Sequence, residues 1–255
     1  MPKFSANLGF LWPDRPLLER IAAAGAAGFK AVELHWPYDT PAAEVKAACA
    51  KAGVKLLGIN TSPGDAAKGE RGLGAVAGRE KEFQAFVDQS VAWAREAGAT
   101  AIHCMAGNLP PAEAAKGAET FVKNLREASE KAPELTLLLE GLNPRDAPGY
   151  FYHTIARKAE IIEMTGKPNV KIMFDVYHVG VSEGDVLTKL RKFMPLIGHV
   201  QIAAVPSRAE PDEGEINYQV IYAELDALKY DGWVGAEYKP RGTTDAGLGW
   251  MKAAG

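Results

Sequence analysis

The sequence predicts an α/β fold, a closed (β/α)8 barrel forming a single domain over residues 1–255. Three observations predict it. Short apolar runs of strand length alternate with longer segments of helical period, and crossovers of that kind demand parallel strands. The alternation yields eight strand segments, more than an open doubly wound sheet usually carries. The chain has 255 residues and 47% hydrophobic content, enough for the core of one such barrel, which typically takes about 250 residues. No glycine-rich dinucleotide-binding turn follows the first strand, where LGFLWPDRP stands instead.

In chain order, KFSANLG (3–9) opens the pattern, and PLLERIAAAGAAG (16–28) follows it as a helix. AVELHW (31–36) leads to PAAEVKAACAKAG (41–53), and VKLLGIN (54–60) to KEFQAFVDQSVAWAREAGA (81–99). TAIHCMA (100–106) precedes PAEAAKGAETFVKNLREASEKA (111–132), and LTLLLEG (135–141) precedes TIARKAEIIEMTG (154–166). VKIMFDV (170–176) goes with GDVLTKLRKFM (184–194), and HVQIA (199–203) with YQVIYAELDALKY (218–230). WVGAEY (233–238) is left with the short TTDAGLGWMKAAG (243–255), so closure at this end rests on the least sequence. The helical segments are amphipathic and rich in Ala, Leu, Glu and Lys, and several end in Gly, as helix C-termini prefer. One connection is long, TSPGDAAKGERGLGAVAGR (61–79). Loops beyond about 12–15 residues are often lids, and Arg71, set among glycines, could fold over an anion. A plain surface excursion is the other reading.

A net charge of −3 with mixed signs gives no basic surface for nucleic acid. Cys49 and Cys104 have no CxxC partner, which fits a reducing, cytoplasmic compartment rather than a disulfide framework. The N-terminal residues lack the apolar run of a signal peptide. No stretch reaches the roughly 18 apolar residues of a membrane span.

In a (β/α)8 barrel, chemistry sits at the C-terminal ends of the strands. Glu33 and His35, Asn60, His103, Glu140, Asp175, Gln201 and Glu237 fall there. Glu140, Asp175, Gln201 and Glu237 are four oxygen donors on four consecutive strands, each after an apolar run. Three buried carboxylates at one barrel mouth repel one another, and a divalent cation removes that penalty. Three carboxylates and an amide carbonyl form an all-oxygen set suited to Mg²⁺ or Mn²⁺. On this reading the glutamine sits in a strand core because its carbonyl oxygen is a ligand; the other reading is a glutamine satisfied by backbone groups. His178, in the loop expected after Asp175, either hydrogen-bonds a substrate oxygen or faces solvent. His199 shares a strand face with Gln201, one layer deeper. Arg208 either meets a substrate carboxylate or pairs with Glu210, Asp212, Glu213 or Glu215. Lys239 either holds an anion or caps its strand. Phe10 and Trp12 either wall the pocket or pack.

LLLEGLN, FDVYH, HVQIA followed by PSRAEPDEGEINY, and GAEYKP are similar to the hydroxypyruvate isomerase family, including its 2-oxo-tetronate isomerase-like members. That family belongs to the xylose-isomerase-like TIM barrel superfamily. GERGL (69–73) and GLGW (247–250) match as well, so the resemblance covers nearly the whole chain. It implies that Glu140 and Glu237 are an acid/base pair that also binds metal, with Asp175 and Gln201 completing the coordination. His178 and Arg208 match positions that contact substrate in related ketose epimerases. Many relatives carry His where this chain has Gln201, a departure that speaks against zinc. The implied reaction is an aldose–ketose type isomerisation, through an enediolate and without an organic cofactor. Hydroxypyruvate would give tartronate semialdehyde, or a related 2-oxo-tetronate would react. An anionic 2-oxo acid or sugar acid needs cationic contacts, for which Arg208, Lys239 and Arg71 are the candidates. A keto-sugar 3-epimerase on the same scaffold is the alternative. An abasic-site endonuclease would need a histidine-rich multi-zinc site and a basic surface, which five histidines and an acidic balance do not supply. The oligomeric state stays open, a homo-oligomer included.

Overall fold

Eight short strands carry the fold: β1 (Lys3–Asn7), β2 (Ala31–Glu33), β3 (Lys55–Asn60), β4 (Ala101–His103), β5 (Thr136–Glu140), β6 (Val170–Asp175), β7 (Ile197–Ile202) and β8 (Trp233–Ala236). The structure, a computed structural model, describes residues 2–253. Each strand pairs in parallel with its neighbour in sequence, and β8 returns to β1 to close the barrel. Closure joins Lys3–Ala6 to Trp233–Ala236, where the sequence had least to offer.

The crossovers are α1 (Leu17–Ala26), α2 (Ala42–Ala52), α3 (Glu80–Ala97), α4 (Ala114–Lys131), α5 (Ile155–Thr165), α6 (Val176–Ser182), α7 (Val186–Phe193) and α8 (Tyr218–Ala227). Two short helices, α9 (Thr244–Gly247) and α10 (Gly249–Ala253), follow β8 where one was expected. Gly53, Gly98 and Gly166 end α2, α3 and α5 in the left-handed conformation, as their positions predict. The outward residues Leu137, Leu139, Ile172, Phe174, Val200 and Ile202 are fully buried under the helices and belong to one apolar core. The inward residues are more polar towards the mouth, where Asn7, Glu33, His103 and Gln201 line the interior.

Two local expectations are corrected. DVYH does not form a loop above β6. Asp175 caps a helix at once, its Oδ1 accepting from the Tyr177 N–H at 2.8 Å, so His178 sits in the first turn of α6 and is buried. The fourth strand does not run to residue 106. It stops at His103 because the next residues bond to the long loop instead: Gly74 N–H donates to Met105 C=O at 3.1 Å and Ala75 N–H to Ala106 C=O at 2.7 Å.

The 61–79 loop is thus built into the mouth rather than hung from it. Asp65 caps a single turn at Ala66–Lys68, and Glu70 pairs with Arg79 at the foot of α3. Gly72 has φ +103°, and a Cβ there would lie 2.3 Å from the Met105 carbonyl oxygen. Gly72→Ala is therefore expected to cost about 1–3 kcal/mol, lowering Tm by roughly 2–4 °C per kcal/mol in a chain of this size. An unchanged thermal melt would show that the loop and the β4 end are not coupled as described.

Candidate active site

Strand register decides which side chains meet at the mouth. Glu140 pairs with Met173, Asp175 with Gln201, and Gln201 with Gly235. Asp175 lies two residues beyond Met173, and Glu237 two beyond Gly235. Even offsets keep a residue on the same face, so all four oxygen donors point inward. Glu140, Asp175, His178 and Glu237 offer ligand atoms that all lie within 4.8 Å of one another, and every one of these residues is buried.

The carboxylates are held differently. Glu237 Oε1 accepts from Asn7 Nδ2 at 2.8 Å and faces His35 Nε2 at 3.3 Å, while Oε2 accepts from Arg208 Nη2 at 2.8 Å. Burial pushes Glu237 up, but the His35 hydrogen bond and the Arg208 charge bring it down to about 2. Glu140 has no such support. Burial, then the charges of Glu237 and Asp175, raise it well above the usual carboxylate range. Burial and Glu237 push Asp175 up to about 7. One carboxyl is thus held ionised while its neighbours are driven towards the acid form, the signature of crowded negative charge.

Four buried polar atoms at the centre have no hydrogen-bond partner: Glu140 Oε1, Asp175 Oδ2, Gln201 Oε1 and His178 Nε2. Unpaired buried oxygens of this kind are costly. Three of the four are oxygens of the expected ligand set, so the residues present fit a divalent cation. Gln201 is oriented for the role, since its Nε2 donates to Glu33 Oε2 at 2.9 Å and turns Oε1 away. His178 completes the cluster by distance but not by chemistry. The Asn143 N–H donates to its Nδ1 at 3.0 Å, so the neutral ring carries its proton on Nε2. Burial and the Arg208 charge hold its pKa down to about 3, which keeps the ring neutral. Nε2 lies 3.5 Å from Glu140 Oε1 and 3.6 Å from Asp175 Oδ2 without bonding to either, and its N–H is an unused donor rather than a ligand atom.

Arg208 stands over the cluster at φ +57°, a conformation that costs a non-glycine residue about 1–3 kcal/mol. Its guanidinium lies between the rings of Phe10 and Tyr177, 4.8 and 5.0 Å from their centroids. Of the four acidic loop residues once open to it, Glu210, Asp212 and Glu213 pair with Arg241 instead. Phe10 packs against Arg208 and His35, whereas Trp12 is buried packing whose indole donates to Asp245. Lys239 is exposed, and only its backbone N–H reaches the site, donating to Arg208 C=O at 2.7 Å. Arg71 is half-buried beside Tyr150 and makes no hydrogen bond or ion pair among the described residues.

Sequence reasoning passed over Asn7 and Lys158, and it placed Glu33, His35 and His103 at strand ends without giving them a role. Asn7, His35 and His103 touch the two glutamates, His103 Nδ1 lying 3.5 Å from Glu140 Oε2. Glu33 is also buried, which pushes its pKa up, but the charge of His199, whose Nε2 lies 3.0 Å away, helps bring it down below the usual value. Lys158 is 2% exposed, its Nζ directed at Met173 C=O behind Glu140, and burial lowers its pKa to about 8. For Asn7 and Glu33 a signal existed, since both end strands on the inward face. For Lys158 none did, because it reads as an ordinary helix-surface lysine.

The family model for the xylose isomerase-like TIM barrel matches residues 21–254. The chain belongs to that family. It is 44% identical to a 2-oxo-tetronate isomerase from Cupriavidus necator, covering 99% of this chain and 98% of the relative. It is 37% identical to the hydroxypyruvate isomerase of Escherichia coli, covering 98% of each. A crystal structure of an AP endonuclease, family 2, from Brucella melitensis superposes with a TM-score of 0.97 at 39% identity, covering 99% of both chains. A 3-keto-D-glucoside 4-epimerase from Escherichia coli shares the fold at 20% identity, with a TM-score of 0.82 and coverage of 99% of this chain and 100% of that one. The full-length curated relatives are isomerases, and this chain is an isomerase.

If the cluster holds a cation, chelator-treated protein should melt higher when Mn²⁺ is added. At 100 times Kd the linkage is about 2.7 kcal/mol, or about 5–10 °C for a chain of this size. Asp175→Asn should shrink the rise. A Tm indifferent to Mn²⁺ would dismiss the cation site.

Proposed function

We propose that the protein is an aldose–ketose type isomerase of small 2-oxo acids, converting hydroxypyruvate to tartronate semialdehyde or acting on a related 2-oxo-tetronate. The observation that carries this reading is the convergence of two unlike glutamates, Glu140 and Glu237, on one buried cluster of unpaired ligand atoms. The names of the full-length relatives support the substrate class. Glu140, Asp175, Gln201 and Glu237 would hold Mg²⁺ or Mn²⁺, which when bound supplies stabilisation of negative charge on adjacent substrate oxygens.

The residues do the rest. One glutamate takes the proton from C3 of hydroxypyruvate, and the other delivers a proton to C2 on collapse of the enediolate. The hydroxyl proton on O3 is lost and O2 gains one, so atoms balance with no redox partner. His178 Nε2–H donates to a substrate oxygen. Arg208, fixed between two aromatic rings, takes the substrate carboxylate, and its buried, unpaired Nε gives it a donor to spare. Arg71, on the 61–79 loop, is the secondary cationic contact, since the Lys239 side chain is exposed. A reducing cytoplasm belongs to the same reading.

Proton exchange followed by NMR in D₂O, with hydroxypyruvate, 2-oxo-tetronates and neutral ketohexoses, tests the assignment. Exchange at C3 of the 2-oxo acids is expected. A preference for neutral ketoses over every 2-oxo acid would replace it with the 3-epimerase alternative. Glu140→Gln and Glu237→Gln should each lower kcat by roughly 10²–10⁴-fold. Near-normal turnover in either variant would remove that residue from proton transfer. Losing the Arg208 contact should cost about 2–4 kcal/mol. Arg208→Ala should then lower kcat/KM for the 2-oxo acid by about 30- to 1,000-fold, with Arg208→Lys recovering only part. Unchanged kinetics would pass the clamp role to Arg71.

A further inference from the structure

A glutamine amide is nearly symmetric in shape, so packing alone cannot say whether its oxygen or its nitrogen faces the cluster. Only hydrogen-bond partners can. Gln201 Nε2 lies 2.9 Å from Glu33 Oε2 and 3.4 Å from Glu237 Oε1, both acceptors. Turned over, the amide would set its own oxygen against Glu33 and its N–H groups into the cluster. There they would confront the site where Glu140 Oε1 and Asp175 Oδ2 stand without partners.

We infer that Glu33 is a positioning residue that fixes the Gln201 amide with Oε1 facing the metal-binding cluster. Glu33 is suited to the task because it is itself held on its other oxygen. Ser5 Oγ donates to Oε1 at 2.5 Å, and His199 Nε2 lies 3.0 Å from the same atom. Oε2 is thereby left to Gln201. The fold makes room for the pair at Gly235, which is opposite Gln201 in register. A Cβ there would lie 2.3 Å from Glu33 Oε1 and 3.0 Å from Gln201 Cγ. Ser5, Glu33, His199 and Gln201 are each no more than 7% exposed, so water does not compete freely for these bonds. A carboxylate that orients a ligand from behind is a recurrent device at metal sites, and removing one typically weakens metal affinity by about 10–100-fold.

The inference rests on the reading of Gln201 as a ligand, and the test separates the two. Mn²⁺ affinity is measured by isothermal titration on chelator-treated wild type, Glu33→Leu, Glu33→Gln, Gln201→Leu and the Glu33→Leu/Gln201→Leu double variant. Glu33→Leu should weaken binding by about 10–100-fold. Glu33→Gln, which keeps an acceptor for the Gln201 N–H, should lose less. The double variant should bind no more weakly than Gln201→Leu alone, because Glu33 acts through Gln201. Wild-type affinity in Glu33→Leu, or losses that multiply in the double variant, would overturn the inference. Should Glu33→Leu fail to fold by near-UV circular dichroism, Glu33→Gln combined with Gln201→Leu completes the same cycle. Wild-type affinity in Gln201→Leu would instead strike out Gln201 as a ligand, and the role of Glu33 with it.

Discussion

Repulsion among three carboxylates buried in one barrel mouth is the constraint around which this site is arranged. Two unit charges 4 Å apart interact by about 4 kcal/mol at the effective dielectric of a protein surface, and burial strengthens the effect. Glu140, Asp175 and Glu237 are each at most 5% exposed, so solvent does not relieve it. The protein answers asymmetrically. Asn7, His35 and Arg208 are spent on Glu237, which stays ionised. Lys158 lies behind Glu140, and Glu140 and Asp175 are left with bare oxygens. That imbalance separates the two glutamates before any substrate arrives, and it makes the centre a place where positive charge is welcome.

The same constraint accounts for the irregular backbone above the barrel. Arg208 reaches Glu237 from a left-handed conformation, and the segment that holds it there is tied at both ends. Arg208 N–H donates to Ala204 C=O at 2.8 Å, and Arg208 C=O accepts from Lys239 N–H at 2.7 Å. Beyond it, Arg241 gathers Glu210, Asp212 and Glu213 into one cluster, with Glu210 1% exposed. The acidic run thus belongs to the scaffold. It clamps the loop after β7 to the loop after β8 and leaves the guanidinium of Arg208 free to face inward. Local strain at a functional residue persists only where such surroundings over-determine it.

The sequence by itself determined the barrel, because an alternation of strand-length apolar runs and amphipathic segments admits few other packings. It also determined which strand ends carry Glu140, Asp175, Gln201 and Glu237, since a residue's place on a strand is a matter of counting. What it could not determine was partnership across strands far apart in the chain. Glu33 and Gln201 are 168 residues apart, and Asn7 and Glu237 are 230 apart. Only closure of β8 on β1 and the register of eight strands bring such pairs within a hydrogen bond. The same holds for Arg208, for which four nearby carboxylates were open and a distant one, Glu237, was taken. It holds for His178 too, whose burial follows from Asp175 capping a helix where a loop was expected. Tertiary structure alone decided these contacts, because each depends on the shape of the closed barrel and not on any local pattern of residues.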